Sequence, residues 1–294
     1  MTLFSYEDWY ATGGTRRQME RALATGVVRR VRRGVLTDAE TTRKASLAHR
    51  LSAQAAARYL GPRTFFSHFS AAVLHGLPLL PSRLNELTVI RTGGGHGSVH
   101  PTLHARDTVL TVAETTQIDG LPVTSLVRTV SDLARMLPFH EAVMVLDCAL
   151  RRGAERPELL SATRKGRGCR RAERSILFAD GDAESPGESL SRVRMYEGGL
   201  VMPVLQKEIR DAHGRLLGRT DFWWEAVGVV GEFDGKVKYD ELVASDVDVA
   251  DVVMDEKQRE QSIQDEVRRV VRWTWADLWD GTMLKRLTPL VGTR

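Results

Sequence analysis

The hydrophobic pattern changes period along the chain. Ser5 to about Tyr10 reads as a short helix broken by Gly13-Gly14. Thr15 then offers an N-cap hydroxyl to a second helix, Arg16 to Thr25. Met19, Ala22 and Leu23 share one side of it, and Gly26 suits its C′ position. Arg16, Arg17, Gln18 and Arg21 take its exposed positions. Val27 to Leu36 is β-rich, carries Arg29, Arg30, Arg32 and Arg33, and includes Gly34, which suits a turn or bulge. A short helix, a tight turn, a basic helix and a basic two-stranded element together predict a winged helix-turn-helix over residues 1–41.

Residues 42–150 predict a mixed α/β region. Arg43–Leu60, Phe66–Leu74, Thr129–Leu137 and His140–Arg151 carry helical patterns. Leu84–Arg91, Val99–Leu103 and Val109–Val112 read as strands. Residues 151–174 are basic, contain Gly153, Pro157, Gly166 and Gly168, and read as a joint. A further α/β domain occupies 175–294. The expected fold class is therefore α/β and multi-domain.

Composition supports burial throughout. The 294 residues are 42% hydrophobic and 27% charged, and the 25 Gly and 10 Pro are scattered, which excludes collagen-like, low-complexity and wholly disordered classes. No apolar run reaches the roughly 18 to 20 residues of a membrane span. Met1–Tyr10 carries Glu7 and Asp8 where a signal peptide has a basic region, so the expected location is the cytoplasm, with no membrane partner. Cys148 and Cys169 have no ligand spacing and read as plain thiols.

Charge is unevenly distributed. Lys and Arg outnumber Asp and Glu by 11 to 5 in residues 1–60 and by 9 to 3 in 151–174, whereas 175–294 carries 16 against 23. Basic patches attract polyanions through counterion release. Acidic segments can gather carboxylates around a divalent cation. Charge asymmetry alone is equally compatible with solvated surface. The basic helix and its wing raise the reading above that level: the helix suits a major groove, with Arg and Gln reading base edges and wing arginines meeting phosphate. Thr15, Arg16, Arg17, Gln18, Arg21, Arg29, Arg30, Arg32 and Arg33 are the candidate DNA-binding residues.

Two other patterns carry less. Gly93-Gly94-Gly95 lacks a following Gly-Lys-Ser/Thr and an adjoining helix, so it reads as a hairpin turn, not a phosphate loop. His96, His100 and His104 recur every four residues, but Gly95, Gly97 and Pro101 oppose the helix that would align them. His68 and His75 read as structural.

The C-terminal part holds the densest chemistry. Ser185-Pro186-Gly187-Glu188 opens a helix that places Glu188 in its first turn. Leu216–Trp224, with Asp221, and Val227–Asp234, with Glu232, read as two strands. If Glu225 to Gly228 form the loop, the hairpin is centred between 226 and 227, and Asp221 lies directly opposite Glu232. The two-residue period puts Glu232 and Asp234 on one face. Crowded carboxylates repel, which a hard divalent cation relieves. Lys236 and Lys238 come directly after and are placed to stabilise phosphoryl charge or position a nucleophile. The alternative is a set of ordinary solvent-facing strand residues.

Glu188 on its helix, Gly218-Arg219-Thr220-Asp221-Phe222 and Gly231-Glu232-Phe233-Asp234-Gly235-Lys236-Val237-Lys238-Tyr239 together resemble the PD-(D/E)XK nuclease superfamily, in its very-short-patch-repair-like branch. Glu256-Lys257-Gln258-Arg259 and Val270-Val271-Arg272-Trp273 match the ending of that branch. The N-terminal Gly14-Thr15-Arg16-Arg17-Gln18 through Arg33-Gly34-Val35-Leu36 is similar to the winged-helix domain of AbiEi-type antitoxins. Ser67-His68-Phe69-Ser70-Ala71-Ala72 and Arg128-Thr129-Val130-Ser131-Asp132-Leu133 resemble the region C-terminal to that domain in actinobacterial proteins of this kind. The resemblance implies Asp221 and Glu232 as ligands of Mg²⁺ or Mn²⁺ and Glu188 as a supporting acid. Asp234 departs from the motif, which has Lys there. Lys236 or Lys238 takes that role from a shifted position, or the site is degenerate.

Two functions are consistent with these expectations. One is a metal-dependent DNA endonuclease with Glu188, Asp221, Glu232, Asp234, Lys236 and Lys238 at its catalytic centre. The other is an antitoxin-like transcriptional repressor, partnered by a cognate toxin, whose nuclease-like domain is inert. No heptad pattern signals a dimer.

Overall fold

A computed structural model describes residues 3–32, 34–37, 45–93, 98–100, 103–211, 213–235, 267 and 269–294. The chain is mixed α/β and divides into two compact units, the first ending at Leu133 and the second beginning at Ala134. This division lies upstream of residue 150, where the sequence pattern places the joint.

The first unit opens with a three-stranded sheet and two helices. Strands β1 (Leu3–Ser5), β2 (Arg29–Arg32) and β3 (Val35–Thr37) are ordered β1-β3-β2, and helices α1 (Tyr6–Ala11) and α2 (Arg16–Ala24) lie between β1 and β2 in sequence. Both helices start where a side chain can satisfy a free backbone N–H. Ser5 Oγ accepts from Asp8 N, and Thr15 Oγ1 from Gln18 N. Met19, Val28 and Leu36 form the small core, with Phe4, Tyr6 and Trp9 against it.

Helix α3 (Ala45–Ala57) and a six-stranded sheet complete this unit. The sheet contains β4 (Thr64–Phe66), β5 (Leu87–Arg91), β6 (Ser98–His100), β7 (Leu103–Asp107), β8 (Thr115–Ile118) and β9 (Leu121–Thr124), ordered β6-β7-β5-β4-β9-β8. Phe66, Val89, Ala105 and Val123 bury the face that meets Ala53, Ala56, Ala71 and Leu74. Helices α4 (His68–Leu74) and α5 (Leu126–Met136) come after β4 and β9.

Several local expectations change here. Thr64–Phe66 is a strand and the helix begins only at His68, so the helix expected over Phe66–Leu74 is shorter. Val109–Val112 is not a strand: Val109 and Val112 are 83% and 92% exposed, and no sheet partner shelters them. His100 and His104 sit on the paired strands β6 and β7, with Val99 opposite His104, and not on one helix; His96 lies outside the described residues.

The second unit packs helices against a four-stranded sheet. Helices α6 (Phe139–Arg151), α7 (Arg156–Thr163), α8 (Cys169–Phe178) and α9 (Pro186–Glu197) precede β10 (Val204–Arg210), β11 (Leu216–Trp224), β12 (Val229–Phe233) and β13 (Arg269–Trp273), in sheet order β10-β11-β12-β13. Helices α10 (Trp275–Asp280) and α11 (Thr282–Val291) close the chain. Residues 151–174 are largely α7 and α8, and several arginines in or near this segment hold carbonyls at helix ends. Arg135 donates to the Ala162 and Lys165 oxygens, Arg156 to those of Ile176 and Ala179, and Arg171 to that of Met136. Such pairing satisfies carbonyls that helix ends leave open. Cys148 and Cys169 are free thiols. Among the described residues no helix is long and apolar enough to cross a membrane.

His68 has a measurable consequence for the first unit. Its backbone is left-handed, at φ +46°, and its Nδ1 lies 3.0 Å from Ser67 Oγ. Burial lowers its pKa to about 4; Asp132 opposes that shift, while Arg106, Arg128 and His104 add to it. A neutral ring is therefore favoured in the folded state, and stability present above the unfolded pKa of roughly 6.5 is lost as pH falls toward 4. We expect His68 to contribute a loss of about 2 kcal/mol between pH 7 and pH 5. His68→Asn, which tolerates the left-handed backbone and does not titrate, should flatten the unfolding free energy over that interval in urea titrations. An unchanged pH slope would refute the assignment.

Candidate functional site

The acidic site is assembled from α9 and two adjacent strands. Ser185 Oγ accepts from Glu188 N at 3.2 Å, and Pro186 occupies the start of α9, so Glu188 sits in the first helical turn. The helix comes unusually close to the sheet. A Cβ at Gly187 on α9 would overlap the Phe233 ring of β12; within the sheet, one at Gly231 would stand 2.5 Å from Trp273 of the neighbouring β13. Trp273 Nε1 also donates to the buried Ser191 Oγ at 2.8 Å. These contacts hold the start of α9 over β12.

The hairpin register agrees with the arithmetic of its loop. Phe222 pairs with Gly231, Trp223 with Val230 and Trp224 with Val229. Continued by one position, that register sets Asp221 against Glu232. A single helical turn, Glu225–Val227, and a left-handed Gly228 make the connection. Asp221 Oδ2 accepts the Phe233 N–H at 2.8 Å, while Glu232 has Arg272 at 3.9 Å.

Glu188 belongs electrostatically to the same group. Burial first and the charge of Asp221 second raise its carboxyl to about 7, against hydrogen bonds from Ser185 and the Glu184 N–H. Gln206 is a fourth member that the sequence did not reveal. Its Nε2 donates to Glu188 Oε2 at 3.0 Å, and Glu184 N donates to the same oxygen at 2.8 Å. Gln206 lies between Leu205 and Lys207, which pair with Phe222 and Thr220, so it falls across from Asp221. Its φ of +51° is a costly conformation for a non-glycine residue and is maintained by its surroundings. The signal for Gln206 is its position on β10, a strand that the sequence pattern did not predict.

Asp234 lies one residue past β12, and its N–H donates to the Trp273 carbonyl at 2.8 Å. Lys236 and Lys238 lie outside the described residues, as do Glu256-Lys257-Gln258-Arg259. Among the described residues no three His, Cys, Asp or Glu side chains are gathered as a ready metal-ligand group. The donor chemistry nevertheless suits a hard cation: Asp221 and Glu232 supply oxygen from adjacent strands, and Glu188 bears the cost of a neighbouring negative charge.

The basic head presents a mixed picture. Gln18 Oε1 accepts from both Thr15 N and Thr15 Oγ1, at 2.8 and 2.9 Å, so its amide oxygen is engaged in the helix cap. Paired reading of adenine by Gln18 would require that cap to open. Arg16 pairs with Glu20 at 2.9 Å, and Arg30 donates to the Tyr6 hydroxyl at 2.8 Å. Arg17, Arg21 and Arg29 are exposed and make no ion pair among the described residues. Arg33 and the side chain of Arg32 lie outside them.

The chain matches no protein-family model. It is 37% identical over 122 residues to uncharacterized protein Rv2248 of Mycobacterium tuberculosis strain H37Rv and, equally, to uncharacterized protein MT2308 of strain CDC 1551. Each match covers 40% of this chain and 45% of the relative, so the chain spans under half the length of these curated relatives. The crystal structure of the RV2827C protein from Mycobacterium tuberculosis aligns over 72% of this chain and 84% of that one, with a TM-score of 0.40 and 13% identity.

The approach at Gly187 yields a direct test. Gly187→Ala forces the added methyl against the Phe233 ring, an overpacking that costs roughly 1–3 kcal/mol. We expect a lower urea midpoint with an unchanged slope for Gly187→Ala, and recovery when Phe233→Leu is added. Equal destabilisation by the single and double variants would place the strain elsewhere.

Proposed function

We propose that this protein binds duplex DNA through its N-terminal winged helix-turn-helix and hydrolyses phosphodiester bonds with its C-terminal domain as a metal-dependent endonuclease. The observation that carries this reading is the β11–β12 register, Phe222 against Gly231, which continued by one position sets Asp221 against Glu232, with Glu188 close enough for the charge of Asp221 to raise its pKa. Asp221 and Glu232 would hold Mg²⁺ or Mn²⁺. A bound cation would neutralise phosphate charge and lower the pKa of a water. Gln206 and the Glu184 N–H orient the Glu188 carboxyl toward Asp221. The PD-(D/E)XK-like pattern supports the same roles.

In the basic head, Arg17 and Arg21 on α2 suit contacts along a major groove, and Arg29 on β2 suits a phosphate. The similarity to AbiEi-type winged helices supports that docking. One observation favours a second reading: Asp234 occupies the place of the motif Lys, which fits a repressor with an inert nuclease-like domain and a cognate toxin as partner.

Supercoiled plasmid incubated with Mg²⁺, Mn²⁺ or EDTA separates these readings. The nuclease reading expects metal-dependent nicking that drops to the EDTA level in Asp221→Ala and Glu232→Ala, while both variants still shift duplex DNA. Duplex binding without cleavage under every metal condition would select the repressor. Arg17→Ala/Arg21→Ala should reduce the slope of log affinity against log salt by about two if both residues meet phosphate. An unchanged slope would remove α2 from the interface.

A further inference from the structure

We infer that an open groove beside Phe139, Phe178 and Tyr196, in the second unit, receives an unpaired nucleobase and its phosphate from a single-stranded nucleic acid. This inference rests on the nucleic-acid function proposed for the chain and adds a substrate feature to it. The groove has a volume of about 470 Å³ and is also lined by Leu177, Arg170 and Arg174. That volume lies within the usual range for small-ligand sites.

Its chemistry offers the two things a nucleotide requires. The first is a set of flat stacking surfaces: Phe139 and Phe178 have ring centroids 5.2 Å apart, Phe178 and Tyr196 4.9 Å, and each ring carries a guanidinium over it, that of Arg192 lying 4.8 Å from the Phe178 centre, so the planes offered to a base include the arginines themselves. The second is positive charge. The Arg174 guanidinium carbon lies 4.2 Å from the Phe139 ring centre, and that of Arg294 lies 4.6 Å from the Tyr196 ring centre. Arg164, Lys165 and Arg167 precede α8 in sequence, whereas Glu173 is the acidic residue in the groove lining. Leu177 is 61% exposed on α8, leaving apolar surface at the groove without cover.

These features favour one occupant. Bases in a duplex have their faces covered by neighbouring bases, whereas an unpaired base can stack on aromatic or guanidinium planes. An acidic peptide would meet the arginines but offers no comparable flat face to the rings. A nucleotide supplies both. Tyr196 lies in the last turn of α9 and Glu188 in its first, an axial rise of about 12 Å, or roughly three to four nucleotides of a stacked strand.

The test uses the full chain in EDTA and fluorescence anisotropy with a labelled 20-nucleotide oligothymidine and a 20-base-pair duplex. Arg170→Glu/Arg174→Glu and Tyr196→Leu should each weaken single-strand binding about five- to hundredfold, the range expected for losing one stacked base. Tyr196→Phe, which retains the ring, should bind within about twofold of wild type. Duplex affinity should change less than single-strand affinity, and circular dichroism should show retained folding. The inference is overturned if wild type binds no single strand, if the groove variants bind it normally, or if single-strand and duplex affinity fall in equal proportion. It is also overturned if sedimentation shows the variants losing self-association with no change in single-strand binding, since the face would then join two copies. Loss of single-strand binding in the groove variants, with duplex binding unaffected by Arg17→Ala/Arg21→Ala, would retain the groove and refute the winged-helix reading.

Discussion

Helix α9 is held between a buried ion pair and a sheet that approaches it at a glycine. Arg192 meets Asp147 at 3.0 Å, with the Asp147 side chain fully buried, and its second guanidinium nitrogen donates to the Phe178 carbonyl at 3.0 Å. Asp147 also accepts the Asp180 N–H at 2.8 Å. Charges removed from water are tolerated only when paired and hydrogen-bonded, so this arrangement constrains α6, α8 and α9 together. On the other side, Gly187 admits the Phe233 ring and Ser191 receives the Trp273 N–H. The helix therefore has little freedom to rotate. Glu188 is fixed by the same restraints that hold the domain together.

That rigidity gives the acidic site its electrical character. Glu188 is 6% exposed and feels the charge of Asp221, and only a few hydrogen bonds offset the cost these impose on its charged form. Gln206 supplies one of them from a backbone conformation that an unconstrained strand would avoid. A strained donor, a buried carboxyl of raised pKa and two acids in register form a polar cluster inside an otherwise apolar packing arrangement. Burial and a neighbouring like charge perturb groups at functional sites and in structural networks alike, as the buried Asp147 beside Arg192 shows.

Arginine serves several distinct purposes in the second unit. Arg192 neutralises a buried acid, and Arg135 and Arg156 hold helix-end carbonyls. A basic run in the sequence therefore does not translate directly into an available basic surface. The same applies in the first unit, where Arg16 and Arg30 have protein partners and Gln18 maintains a cap. Charge counts identify where cations are abundant; the hydrogen bonds identify which remain open to a partner.

The sequence alone determined what depends on neighbouring residues. Ser185 and Thr15 mark helix starts because their short side chains cap nearby N–H groups, and the Glu225–Gly228 loop sets the register that opposes Asp221 and Glu232. Tertiary structure decided what depends on distant strands and helices. The β-rich stretch at Val109–Val112 found no sheet partner, whereas Val204–Arg210 became a strand beside β11 and brought Gln206 to Glu188. The joint expected over residues 151–174 became packed helices because its arginines found carbonyls in three dimensions. Local capping and loop length are written in a few adjacent residues; strand partnership, burial and the available charge arise only when remote segments meet.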